Sequence, residues 1–257
     1  MPIIEARNLR KTFAKTIAVD DVNLSIEEGE IFGILGPNGA GKTTTVECLT
    51  GMQKADSGHL RVLGLDPATH VADLRRQVGY QLQSTELPDA MRVGEAIDLF
   101  ASFYPEPLQP AELLDTVGLS RLRKSAFGTL SGGEKQRLSI ALALVGDPRI
   151  AVLDELTTGL DPQGRRDIWR LIDGIRHRGV TVVLVTHFLD EAQALCDRLA
   201  IVDQGRTIAT GTPPELIAHA EMSAPGISQD ARPVNLEDAY LAIIDSTVDA
   251  PEWKKTS

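Results

Sequence analysis

Apolar positions change period along this chain. Residues 3–9 and 22–26 alternate apolar with polar side chains, the pattern of half-buried strands. Residues 30–35 form an apolar strand that runs straight into a glycine-rich turn, and a helix is predicted at 42–50, ending near Gly51. A further short strand is predicted at 78–82. Then the period shifts. Between 92 and 104, Val93, Ala96, Ile97, Phe100 and Phe103 fall at helical spacing. Pro105, Pro107 and Pro110 interrupt that helix, and another is expected at 111–117. A helical lobe therefore interrupts the sheet-forming part at about 88–147. Strand–helix alternation returns with apolar strands at 150–153, 181–185 and 199–202 and helices at 162–178 and 188–196. Short apolar strands separated by helices predict an α/β core with a mostly parallel sheet. Residues 222–233 read as a loop, and Asn235 caps a last helix near 235–244 that carries Leu236, Ala239, Tyr240, Ile243 and Ile244. The expected division is one domain over 1–220 and a short C-terminal extension over 221–257.

Bulk properties narrow this picture. The chain has 257 residues, 42% of them apolar, which suits one large domain or a domain with a small appended lobe. A net charge of −10 argues against a nucleic-acid footprint, which would be basic. Cys48 and Cys196 lie far apart without metal-ligand spacing, so both read as buried small hydrophobes in a reduced, cytosolic chain. The first residues show no signal segment, and no apolar run approaches the roughly 20 residues of a membrane span. A membrane role would need another chain to supply the membrane part.

The chemistry starts at Gly36-Pro37-Asn38-Gly39-Ala40-Gly41-Lys42-Thr43, which fits G-x-x-x-x-G-K-[ST] between a strand and a helix. Its glycines let successive N–H groups turn toward phosphate oxygens. Lys42 would reach the β- and γ-phosphates of ATP, Thr43 would offer its hydroxyl to Mg²⁺, and Thr44 continues the same helix start. The helix N-terminus presents its positive end to the anion. A second constellation closes the strand at 150–153 with two adjacent carboxylates, Asp154 and Glu155. Such a strand suits a place beside the loop-bearing strand. Asp154 would then hold Mg²⁺ through water, and Glu155 would polarise the attacking water. Taken alone, a strand followed by Asp-Glu is common and reads better as a plain solvated turn; the phosphate loop is what favours the functional reading.

Leu130-Ser131-Gly132-Gly133-Glu134-Lys135-Gln136-Arg137 resembles the signature of ATP-binding cassette (ABC) ATPases. Ser131 and Glu134 also form a capping box for a helix over 134–145, and both readings hold together. The resemblance spans nearly the whole chain. It implies a phosphate-loop NTPase core with an N-terminal antiparallel β subdomain and an inserted helical lobe. On the same ground Phe13 looks like the aromatic that stacks on adenine, though it would also suit a core. Gln83 looks like the glutamine that contacts Mg²⁺ and water. Gly159-Leu160-Asp161 looks like the loop that touches the opposite subunit, while Asp161 is equally a cap before Pro162. His187 looks like the γ-phosphate sensor. In such proteins Ser131, Gly132 and Gly133 of one copy close over the ATP of another, so the implied assembly is a head-to-tail dimer. Two positions depart from the family pattern. Leu156 stands where proline usually follows the catalytic glutamate, and Ala14 stands where glycine often follows the aromatic.

Within that family the 81–87 stretch, the run at 162–166 and the ending at 235–241 resemble ATPase subunits of type-2 exporters, including the daunorubicin-resistance type. This implies a separate integral membrane permease, met by the segment after Gln83. The expected location is cytoplasmic, on the inner face of the cell membrane. A soluble assembly-scaffold ATPase and an importer ATPase remain open alternatives at this stage.

Overall fold

The computed structural model describes residues 2–81, 86–223 and 234–248. Gln83 therefore lies outside the described residues, as does most of the predicted 222–233 loop. The first strands are β1 (Ile4–Phe13), β2 (Thr16–Ile26), β3 (Ile31–Leu35), β4 (Ser57–Val62) and β5 (Val78–Gln81). After the helical segment come β6 (Ile150–Asp154), β7 (Thr181–Thr186), β8 (Arg198–Asp203) and β9 (Arg206–Gly211). They form one sheet in the order β4-β1-β2-β9-β8-β3-β7-β6-β5. From β8 to β5 every neighbouring pair is parallel. The β1 pairs with β2 and β4 are antiparallel, as is β8 with β9.

One placement differs from the sequence expectation. β6 does not lie beside β3, because β7 is inserted between them and pairs with both. The spacing of a motif along the chain does not encode which strand enters next, and β7 comes later in sequence than either. The consequence is useful, because the C-terminal ends of three adjacent strands carry three different functional segments.

Strand parity explains why these segments can be buried. Ile31 and Leu35 face one apolar cluster, while Phe32 and Ile34 face another on the opposite side of the sheet. Ala151 and Leu153 part in the same way from Ile150 and Val152. A strand covered on both faces must be apolar throughout, which is why these runs do not alternate.

The helices are α1 (Lys42–Leu49), α2 (Val71–Arg75), α3 (Val93–Ala101), α4 (Pro110–Thr116) and α5 (Gly132–Leu144). The chain continues with α6 (Pro162–His177), α7 (Leu189–Leu195), α8 (Pro213–Ser223) and α9 (Leu236–Val248). α5 is buried continuously from Leu138 to Leu144, so it needs no polar face. α6 is amphipathic and buries Ile168, Ile172 and Ile175, spaced to fall on one side. α3 buries Val93, Ala96 and Ile97, but Phe103 lies past its end and is exposed. Asn235 caps α9 as expected, its Oδ1 accepting the Asp238 N–H at 3.0 Å. Among the described residues no helix is long and apolar enough to cross a membrane.

Candidate nucleotide site

The 36–43 segment leaves the C-terminal end of β3, an interior strand, and enters α1 with no carboxylate in its first turn. Gly41 caps the helix at φ 96° without any side-chain bond. The N–H groups of Gly39, Gly41, Lys42 and Thr43 find no acceptor among the described residues. Unpaired donors at a helix start form a nest for an anion. Lys42 is buried, and its Nζ donates to the carbonyls of Gly36 (2.8 Å) and Pro37 (3.0 Å). Burial lowers its pKa, and the nearby Glu155 and Asp154 carboxylates oppose that shift. Thr45 closes the turn by donating its hydroxyl to Gly41 O at 2.8 Å.

The loop is braced from outside by a hairpin turn. Gln204 and Gly205 join β8 to β9 with φ of 45° and 75°, the two positive values that a two-residue hairpin favours. Gly205 N–H donates to Ala40 O at 2.9 Å, while Gly205 O accepts from Asp20 and Asp21 of β2.

β6 delivers the paired carboxylates. Asp154 is 2% exposed, and its Oδ2 has no hydrogen-bond partner among the described residues. Burial pushes its pKa up to about 6; Glu155 adds to the rise and Lys42 opposes it. Gln81, the last residue of β5, accepts the Asp154 N–H on its Oε1 at 3.0 Å. Glu155 turns out of the strand with φ 49°, its N–H bonded to Val185 O of β7. Leu156 is fully buried in the core. A proline there would push the preceding residue toward extended backbone, so leucine suits the left-handed Glu155. β7 ends at Thr186, and His187 follows it directly, its Nδ1 3.0 Å from Glu155 Oε1.

Ser131 caps α5 through a full capping box. Its N–H and hydroxyl both donate to Glu134 Oε2 at 2.8 Å, and Glu134 N–H returns to Ser131 Oγ at 3.4 Å. Ser131, Gly132 and Gly133 share a groove of about 460 Å³ with Gly159, Leu160 and Asp161. No residue of the 36–43 loop lines that groove. Asp161 also caps α6, accepting Gly164 N–H at 2.7 Å. Phe13 is 42% exposed at the end of β1, with Lys11 Nζ 5.2 Å from its ring centroid. It is not a core residue. Ala14, in the adjacent turn, sits at φ 49°, where glycine is the less strained choice; nothing in the structure explains the alanine.

The structure thus brings Lys42, Asp154, Glu155 and His187 into one electrostatic neighbourhood, and Ser131–Gly133 with 159–161 into another. Gln81 and the Gly205 turn were not predicted from the sequence. A Gln-Gly pair between two strand-like runs is a weak hairpin signal, and nothing local marks Gln81.

A strand-to-helix phosphate nest beside an Asp-Glu pair whose Asp is buried, on a mostly parallel sheet, defines a nucleoside-triphosphate hydrolase of the phosphate-loop class. Residues 19–158 match the family model for ABC transporters. The Nod factor export ATP-binding protein I of Ralstonia nicotianae is 40% identical over 85% of this chain and 70% of its own length. The probable multidrug ABC transporter ATP-binding protein YbhF of Escherichia coli is 37% identical over 94% of this chain and 42% of its own length. Among solved structures, an ATP-binding subunit of an ABC transporter superposes with a TM-score of 0.80 at 26% identity, covering 94% of this chain and 99% of that one. A cassette solved as a dimer bound to ADP and phosphate gives 0.73 at 27% identity, covering 81% and 98%. The chain belongs to the ABC transporter family, as an exporter-type subunit that binds and hydrolyses ATP.

Proposed function

We propose that two copies of this chain bind ATP head to tail and so drive a separate membrane permease from the cytoplasmic face of the membrane. The observation that supports this reading most is the separation of two half-sites. Lys42, Asp154, Glu155 and His187 stand together, while the Ser131–Gly133 helix start opens into a groove lined by no residue of the phosphate loop. An ATP held by Gly36, Asn38, Gly39, Ala40, Gly41, Lys42, Thr43 and Thr44, with its adenine on Phe13, would then meet the signature and Asp161 of the partner copy. Such a γ-phosphate link favours the closed pair only while it lasts, and hydrolysis releases it. Phe13 is exposed enough to stack on a base.

In the hydrolytic step Glu155 accepts a proton from water as the water oxygen bonds to the γ-phosphorus. The bond from that phosphorus to the bridging oxygen breaks, and ADP leaves. His187 presents Nδ1 to Glu155, which leaves Nε2 for the γ-phosphate. The donor set fits Mg²⁺. Among the described residues, Asp154 offers a buried carboxylate oxygen with no hydrogen-bond partner, Thr43 offers a hydroxyl, and no three-ligand cage competes. Asp154, Thr43 and Gln83 would hold the ion. When bound, it supplies positive charge against the β- and γ-phosphate oxygens.

Residues 1–220, with the lobe at about 88–147, carry this machinery in the proposal. Of the 221–257 extension, α9 supports it by packing on α7, α8 and β9, and α8 itself runs through residue 220. The relatives' names point to export of Nod factor or of drugs, and the permease would choose the cargo. Changing Glu155→Gln should preserve ATP binding and slow turnover about 10²–10⁴-fold, the range for a lost general base. A near-normal rate would remove Glu155 from that role. Changing Lys42→Ala should abolish tight ATP binding in a titration, and unchanged affinity would overturn the loop assignment.

A further inference from the structure

His187 is the first residue after β7, and its side chain is about one third exposed. Its ring has a defined backing. The Phe188 ring stacks on it with centroids 4.1 Å apart and planes 37° from parallel. Thr186 Oγ1 accepts the Phe188 N–H at 3.0 Å, which fixes the backbone. On α6, the Arg165 guanidinium carbon lies 4.9 Å from the Phe188 ring centroid and 5.6 Å from that of Trp169. The Arg165 guanidinium therefore lies close to two aromatic rings, each of which attracts a cation to its face. Its Nη2 lies 2.7 Å from both carboxylate oxygens of Asp190, on the first turn of α7. Trp169 in turn is oriented by its Nε1–H bond to the fully buried Glu191 at 3.2 Å.

We propose that Arg165 is a positioning residue for His187, a cation clamped between Phe188 and Trp169 that holds the histidine ring against Glu155. This rests on the reading of His187 as a γ-phosphate contact. The flat guanidinium suits the role because it can stack on two rings while its edge binds a carboxylate; an ammonium cannot do both. The clamp also starts close to the 159–161 loop. Arg165 N–H donates to Asp161 O at 3.0 Å, so a shift of that loop on meeting a partner copy would move the base of the Arg165 side chain.

Two arms test this separately. The first reads geometry without catalysis, using the histidine ring signals in the proton–carbon NMR spectrum of the nucleotide-free protein, with His187 assigned by His187→Ala. Arg165→Ala should move the His187 signal and leave the other four histidines in place. An unmoved His187 signal overturns the clamp. The second arm reads ATP turnover and ATP affinity. Arg165→Ala should lower kcat about ten-fold or more with ATP Kd unchanged, as expected when a reacting group is slightly misplaced. Arg165→Lys should recover part of that loss, and Arg165→Ala should add nothing further in a Phe188→Leu background. Normal kcat, a Kd that shifts in step with kcat, or independent losses in the double variant each overturn the proposal. Should Arg165→Ala fail to fold, Arg165→Lys and Asp190→Asn carry the same two readouts, with smaller expected shifts. If His187→Ala itself turns over normally, the reading of His187 fails, and the NMR arm still decides whether the clamp exists.

Discussion

Replacing Gly41 by alanine tests the phosphate loop through its packing, before any nucleotide is added. A Cβ at Gly41 would sit 2.2 Å from the Ala18 carbonyl oxygen and 3.4 Å from Gly205 Cα. Neither neighbour is free to move. Ala18 lies in β2, an interior strand, and Gly205 is bonded both to Ala40 and to β2. The backbone there also has φ of 96°, a region that costs an L-residue about 1–2 kcal/mol. Overpacking adds about 1–3 kcal/mol, for a total of about 2–5 kcal/mol. At about 2.1 cal/mol/K per residue, the unfolding entropy of a chain this size is about 0.54 kcal/mol/K, so Tm should fall by about 4–9 °C. Gly39 is the internal control. Its φ is 82°, yet nothing lies within 4 Å of the Cβ position. Gly39→Ala should carry the backbone strain alone and lose only about 2–4 °C. Scanning calorimetry of the two nucleotide-free variants beside the wild type measures both shifts. Equal Tm values for the two variants would refute the close contact with β2 and the bracing turn at Gly205.

Three further outcomes follow from other contacts. Ser131→Ala removes one partner of the α5 capping box and should cost about 1 kcal/mol of stability, seen as a Tm drop of about 2 °C, while Ser131→Thr should retain most of it. The Glu134 carboxylate is held below its ordinary pKa of 4.5 by the N–H and hydroxyl of Ser131. Its contribution is therefore complete above pH 4.5 and fades as pH falls through the lower folded value, which amide exchange at the start of α5 would follow. Burial raises the Cys48 thiol to about 11 and the Cys196 thiol further, so a thiol reagent at pH 8 should label neither in the native protein and both after unfolding. Rapid native labelling of either would contradict their place in the core.

The local placement of the candidate residues was legible because each motif is contiguous. The loop at 36–43, the Asp154-Glu155 pair, the capped Ser131 helix and His187 each occupy a few consecutive residues, and their residue types leave little choice of structure. What was not legible is what depends on distant pairing. The place of β7 between β3 and β6 cannot be read from either strand, since all three are buried on both faces and look alike. β4 and β9 gave no strand signal for the opposite reason. β4 buries only Leu60 and Val62, and β9 buries no side chain at all, so neither run stands out as apolar. Gln81 acts on Asp154 across two strands, and its place depends on the register that pairs it with Leu153. What the two family departures do to the backbone is visible only in its angles. Ala14 and Glu155 both adopt left-handed conformations, and the sequence names the unusual residue without giving the angle.

The central claim is that one working ATP site needs two copies of the chain. The most direct measurement mixes two inactive variants, Ser131→Arg and Lys42→Ala, and follows ATP turnover. Each variant alone disables both sites of its own pair. In a mixed pair, the intact phosphate loop of the Ser131→Arg copy faces the intact signature of the Lys42→Ala copy. An equal mixture should therefore recover up to about a quarter of wild-type turnover, since half of the pairs are mixed and each keeps one of two sites. A mixture as inactive as its components, or a Ser131→Arg protein that turns over ATP at the wild-type rate by itself, would contradict the shared site.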